Sequence, residues 1–179
     1  MRIQEQELLE LVKKYEFSQW GVLETRNLEF RTEVRDMCAA NLCNMYGKTW
    51  QCPPGCGELE TIRENAKSYE KGLVLQMTGQ MEDDYDVDTI METEESLKAK
   101  LYALVAELKL KGIEVLPMSA GACTLCEKCT YPEAPCRFPE KAYPSMEAYG
   151  LVVGDCCTQA GIKYYYGPKT ITFSACVLF

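Results

Sequence analysis

Eight of the chain's eleven cysteines fall into two groups of four, and no histidine accompanies them. The second group is Cys123-x₂-Cys126-x₂-Cys129-x₆-Cys136. Three thiolates at successive three-residue steps can wrap one loop around a cubane and reach three of its iron corners. A remote fourth thiolate then takes the last corner or a neighbouring cluster, as in bacterial ferredoxin runs. The gap before Cys136 is longer than in those runs, with Pro135 before the cysteine and Arg137-Phe-Pro139 after it. Tetrahedral zinc sites instead favour two separated C-x₂-C knuckles, and a triple run leaves one thiolate crowded. The spacing predicts a [4Fe–4S] cluster, with structural zinc as the lesser alternative.

The first group is Cys38-x₄-Cys43-x₈-Cys52-Pro-Pro-Gly-Cys56. Its spacing is less regular, but its density again argues for metal, and a second [4Fe–4S] centre is expected. Pro53 and Pro54 remove two backbone N–H donors from a loop where hydrogen bonds to sulfur tune a cluster. Trp50 is placed to cover the site from water. The alternative is a Pro-Gly loop with inert buried thiols. The expected cluster-binding and metal-ligating residues are therefore Cys38, Cys43, Cys52, Cys56, Cys123, Cys126, Cys129 and Cys136, and no catalytic residue is assigned. Cys156 and Cys157 fit either a helix start that lowers a thiol pKa or the core, and Cys176 reads as core. Which of Cys56, Cys156, Cys157 and Cys176 is spare stays open.

The absence of histidine excludes a Ser–His–Asp triad, a Cys–His pair, Cys₂His₂ zinc, a Rieske centre and His-ligated haem. With 19 basic and 27 acidic residues the net charge is −8, which argues against a broad nucleic-acid surface. The first 20 residues are charged throughout, and no apolar run approaches the ~20 residues of a membrane span. A cytoplasmic location follows, where clustered thiols signify metal or redox chemistry rather than disulfides.

The elements that must hold these loops suggest one α+β domain, 1–179: a mixed central sheet with one βαβ unit, flanking helices and two cysteine-rich metal-binding loops. Residues 1–30 read as a helix, with Leu8, Leu11, Val12 and Tyr15 on one stripe, followed by a hairpin. The first cysteine loop spans 38–57, preceded by a short helix at 31–42 and followed by a helix at 58–71. The βαβ unit, 72–118, has a helix capped by Thr93 and striped by Leu97, Leu101, Leu104, Val105 and Leu108. The second cysteine loop spans 121–140. Ser145 and Asp155 are expected helix caps, and 164–179 is a terminal hairpin or paired strand. The acidic run Glu82–Asp88 lacks the glycine and terminal glutamate of a calcium loop and reads as solvated.

The motifs Cys52-Pro-Pro, Cys123-Thr-Leu-Cys126-Glu-Lys-Cys129, Pro135-Cys-Arg-Phe-Pro139 and Pro144-Ser-Met-Glu-Ala-Tyr-Gly150 resemble a prokaryotic family of predicted metal-binding proteins of unknown function. The resemblance runs from about Arg35 to Phe179. It implies a cysteine-rich metal site, often in anaerobes, and extends to Cys38, Cys43, Cys52, Cys123, Cys126, Cys129 and Cys136.

The function expected first is one-electron transfer between cytosolic partners, with a redox protein as partner and Arg35, Lys48, Lys128 and Arg137 offsetting anionic clusters. The second is an Fe–S enzyme using an open cluster iron, with Cys156-Cys157, Tyr164, Tyr165, Tyr166 and Glu147 as candidate helpers. The third is a zinc-stapled interaction or metal-sensing module. The oligomeric state is left open.

Overall fold

A computed structural model of the chain describes residues 3–179. Among them a four-stranded sheet and five α-helices form an α+β architecture. Helix α1 (Glu5–Lys14) buries Leu8 and Val12, two members of the expected stripe, with Glu5 and Glu7 in its first turn and Lys13 and Lys14 in its last. Strand β1 (Gln19–Glu24) follows and ends in a short 3₁₀ turn at Thr25–Asn27. The expected hairpin is absent: β1 pairs with β2 (Lys71–Gln80), while Leu28 and Phe30 leave the sheet and pack into the core beneath it.

Helices α2 (Thr32–Ala39) and α3 (Leu59–Ala66) bracket the first cysteine loop. Helix α3 stops sooner than expected because residues from Lys71 onward are drawn into β2. The long helix α4 (Val87–Leu110) begins before Thr93: Asp86 is its cap, accepting from the Thr89 N–H. Thr93 is instead a buried mid-helix residue whose hydroxyl donates to the Thr89 carbonyl at 2.6 Å. Close packing permits this, because a Cβ at Gly79 would lie 2.2 Å from Thr93 Oγ1.

Strand β3 (Leu116–Met118) is short, and β4 (Thr170–Leu178) lies between it and β2, giving the order β1-β2-β4-β3 with every neighbouring pair antiparallel. Strands β2 and β3 therefore run parallel to each other across α4, as a βαβ unit requires, but are split by β4. The expected mixed pairing becomes an antiparallel ladder, and the tail forms a central paired strand, the second of its two expected forms. Residues 145–150 form turns, with Ser145 Oγ accepting from the Ala148 N–H, where a capped helix was expected. Helix α5 (Val153–Gln159) starts after Val152, with Asp155 in its first turn rather than at its cap.

Alternation along the central strands sends side chains to two cores. Leu73, Leu75, Ala175 and Val177 meet α1 and the predicted α4 stripe, all five of whose residues are buried. Val74, Cys176 and Leu178 face α3, α5, Met118 and Met146. The second cysteine loop leaves the end of β3, and the first spans α2 to α3.

Candidate metal centre

Each loop is fixed by its own polar groups. In the first, Asn41 and Asn44 adopt left-handed φ of 56° and 58°, and Asn41 Oδ1 accepts from the Tyr46 N–H at 2.9 Å. Asparagine tolerates this backbone because its short amide hydrogen-bonds locally. The Gly47 N–H donates to the Pro53 carbonyl, and buried Thr49 accepts from the Cys52 N–H at 3.1 Å. In the second, Thr130 Oγ1 donates to the Pro135 carbonyl at 2.8 Å and Arg137 Nη1 to the Lys128 carbonyl at 2.9 Å. Both bonds close the loop around its cysteines.

The loops dock on one another. Trp50 donates its indole N–H to the Ala134 carbonyl at 3.0 Å and meets the Tyr131 ring edge-on at 4.9 Å. Gly55 lies under that same ring. Trp50 thus joins the two loops, and it also lines the cavity around the second cysteine group.

All eleven cysteines are free thiols. Cys123, Cys126, Cys129 and Cys136 line one cavity of ≈ 20 Å³ whose wall is completed by Thr49, Trp50 and Gln51 of the first loop. Cys38, Cys52 and Cys56 are half-buried, and Cys43 is exposed. Cys38 feels the charge of Cys43 and Cys52, Cys56 that of Cys38 and Cys52, and Cys52 that of Cys43 and of Cys129 in the second group. Cys52 is thus the first-group thiol within electrostatic reach of the second group. Among the described residues, no three His, Cys, Asp or Glu side chains converge to hold a metal ion as they stand.

Burial pushes the Cys38, Cys52 and Cys123 thiols up, and it pushes Cys56 up to about 11. The Leu125 N–H works the other way on Cys123, donating to its sulfur. Half-buried thiols favour the neutral form until a cation arrives, and a bound metal ion inverts that preference.

A family model described as predicted metal-binding protein (DUF2284) matches residues 21–179. The chain belongs to this family. No curated protein and no solved structure matches it. The family's metal-binding description fits what the chain offers: an all-sulfur donor set, four thiols around one cavity, and a buried Arg35 Nη1 with no hydrogen-bond partner.

This family member also uses residues that spacing arguments overlooked. Lys98 on α4 is only 5% exposed, and its Nζ donates to Glu94 Oε1 at 2.6 Å and to the Ala122 carbonyl at 2.7 Å, directly before Cys123. It also lowers the cost of a charge on Cys52. The signal was present: Lys98 precedes Leu101 and Val105 by three and seven residues, on the apolar stripe itself. Lys98→Met should strand the Glu94 carboxylate and the Ala122 carbonyl. It should destabilise the fold by about 1–3 kcal/mol, read from the urea midpoint, and loosen the second loop's hold on metal.

The three remaining cysteines are core residues. Cys156, Cys157 and Cys176 pack together beneath the sheet. Burial pushes Cys156 up to about 12, with the charge of Cys157 adding to the rise, so the activating effect expected of a helix start is overridden. Gln76 donates to Cys157 Sγ at 3.3 Å and accepts from Tyr166 Oη at 2.8 Å, which makes Tyr166 part of a buried strut. Tyr164 and Tyr165 point to solvent, and Glu147 is exposed beside Cys38. Lys48 donates to Asn44 Oδ1 at 2.6 Å, and Lys128 is exposed.

Proposed function

We propose that Cys38, Cys43, Cys52 and Cys56 on one loop, and Cys123, Cys126, Cys129 and Cys136 on the other, hold two [4Fe–4S] clusters. On this reading the protein passes single electrons between redox partners in the cytoplasm. The observation that carries the reading is the shared cavity of the second group, walled by four thiols from a triple C-x₂-C run and covered by Trp50. When bound, such clusters supply reversible one-electron chemistry at cysteine-ligated iron. The chain's own part is to hold the thiols apart at the right span, exclude water with Trp50 and Phe138, and supply compensating positive charge from Arg35 and Lys98. The electrostatic reach of Cys129 to Cys52 supports exchange of electrons between the two centres. The acidic surface, with a net charge of −8, suits a partner carrying a basic patch.

Iron, zinc and acid-labile sulfide per chain, on protein purified without oxygen, test this. About eight iron and eight sulfide, with reversible one-electron reduction, are expected. About four of each would overturn the second cluster, and zinc without sulfide would overturn the reading entirely.

One observation favours the enzymatic alternative. Cys56 and Cys136, one from each group, line an open groove of ≈ 520 Å³ walled by Trp50, Tyr149 and several prolines. A substrate seated there would sit against both metal-binding loops, and substrate-dependent change in the cluster spectrum would reveal it.

A further inference from the structure

The inward face of α2 is formed by Val34, Arg35 and Cys38, all half-buried, and the helix buries no residue fully. Arg35 stands one turn before Cys38, so the two side chains share a face. Its Nη2 donates to the carbonyl of Gly57 at 2.9 Å, which ties α2 to the residue following Cys56. Its Nη1 is buried and has no hydrogen-bond partner. Among the described residues Arg35 makes no ion pair with a carboxylate, yet its charge acts on Cys38, Cys56 and Tyr149. A guanidinium is always charged, and a buried donor without an acceptor is costly. This one belongs to a side chain on the helix face that carries Cys38.

We propose that Arg35 is the charge-compensating donor to the metal centre of the first cysteine group, with Nη1 hydrogen-bonding a sulfur of that centre while Nη2 keeps its bond to Gly57. The proposal deepens the metal-binding reading of the first group and rests on it. The planar fork explains why arginine suits the position: two parallel donors from one rigid group serve two acceptors at once, which a lysine ammonium on a flexible stem does less well. It also assigns unequal roles to the basic residues near the loops. Arg137 spends Nη1 on the Lys128 carbonyl, and Lys98 is paired with Glu94, whereas Arg35 keeps an arm in reserve. Partners that hydrogen-bond metal ligands typically carry 10- to 100-fold in metal affinity.

The test is metal retention by the full chain, reconstituted without oxygen, against a competing chelator. Mass spectrometry reads which cysteines become open to alkylation. In Arg35→Gln, Cys38 and Cys56 should lose protection at about 10- to 100-fold less chelator than in the parent chain. Cys123 to Cys136 should stay protected, which also reports that the variant is folded. Arg35→Lys, which keeps the charge without the fork, should lose less.

Protection of Cys38 and Cys56 that Arg35→Gln fully retains would overturn the role of Arg35 alone. Equal loss at both groups in both variants would make Arg35 merely structural and would also overturn it. Sulfate protecting Cys38 and Cys56 in the metal-free parent, but not in Arg35→Gln, would overturn it in favour of a free-anion site. Alkylation of Cys38 and Cys56 at the same rate with and without metal in the parent would overturn metal binding by this group, and the role of Arg35 with it.

Discussion

Cys126→Ala should leave the chain with about half of its iron and acid-labile sulfide and a correspondingly weaker visible absorption. Cys126 is the middle thiolate of the triple run and lines the cavity shared with Cys123, Cys129 and Cys136. The three spare cysteines are locked in the core below the sheet, so none can move in to replace it. The sheet and both hydrophobic cores draw nothing from Cys126, so the apo fold should survive and the effect should be confined to metal. Iron and sulfide analysis, with alkylation mapping of Cys38 to Cys56, checks this. Full iron and an unchanged spectrum would remove Cys126 from the ligand set.

Gly55→Ala should act on both groups at once, through the docking of the two loops. A Cβ at position 55 would lie 2.5 Å from the Thr49 carbonyl oxygen and 2.9 Å from Cε2 of Tyr131. Neither neighbour yields easily: one is backbone, and the other is a ring pressed edge-on against Trp50. Overpacking of this kind costs about 1–3 kcal/mol, here spent on separating the two loops rather than on opening the core. The expected result is loss of metal from both groups and faster proteolytic cleavage within residues 40–58 and 119–142, with far-UV circular dichroism retained. A variant that keeps its full metal content would show that the loops need not dock for either site to form.

Much of this fold is readable from local pattern. The stripe of α4 follows from periodicity, because it buries one face against the sheet, and the unbroken apolar run of β2 from a strand buried on both faces. The misplaced start of α4 has a local cause: Asp86 sat inside an acidic run that reads as solvent-exposed loop, yet it caps the helix. The insertion of β4 between β2 and β3 could not be read, since β2–β4 partners 90 to 106 residues apart in sequence leave no local trace. The cysteine groups were legible as spacing, and the structure gathers the second around one cavity. Their docking through Trp50, Tyr131 and Gly55 was not, because it depends on ring contacts across loops that carry no period. Arg35 was singled out only by its nearness to Cys38, and its unpaired nitrogen is visible only in three dimensions.

The position of β4 sets an order of events during synthesis. Among the described strands, β3 is hydrogen-bonded to β4 alone, and β3 is the strand from which the second cysteine loop departs. While a ribosome is still making residues 170–178, β3 has no ladder to join, and the loop that follows it is held by Lys98 at Ala122 and by Ser119 across its base rather than by the sheet. Such long-range pairing closes late, after the local helices have formed. All eight thiols of the two loops have by then been synthesised, so a nascent chain presents both cysteine loops before it has the sheet that fixes them. Metal delivered too early would meet flexible thiols open to wrong pairings, and delivery after β4 has paired would meet a finished scaffold.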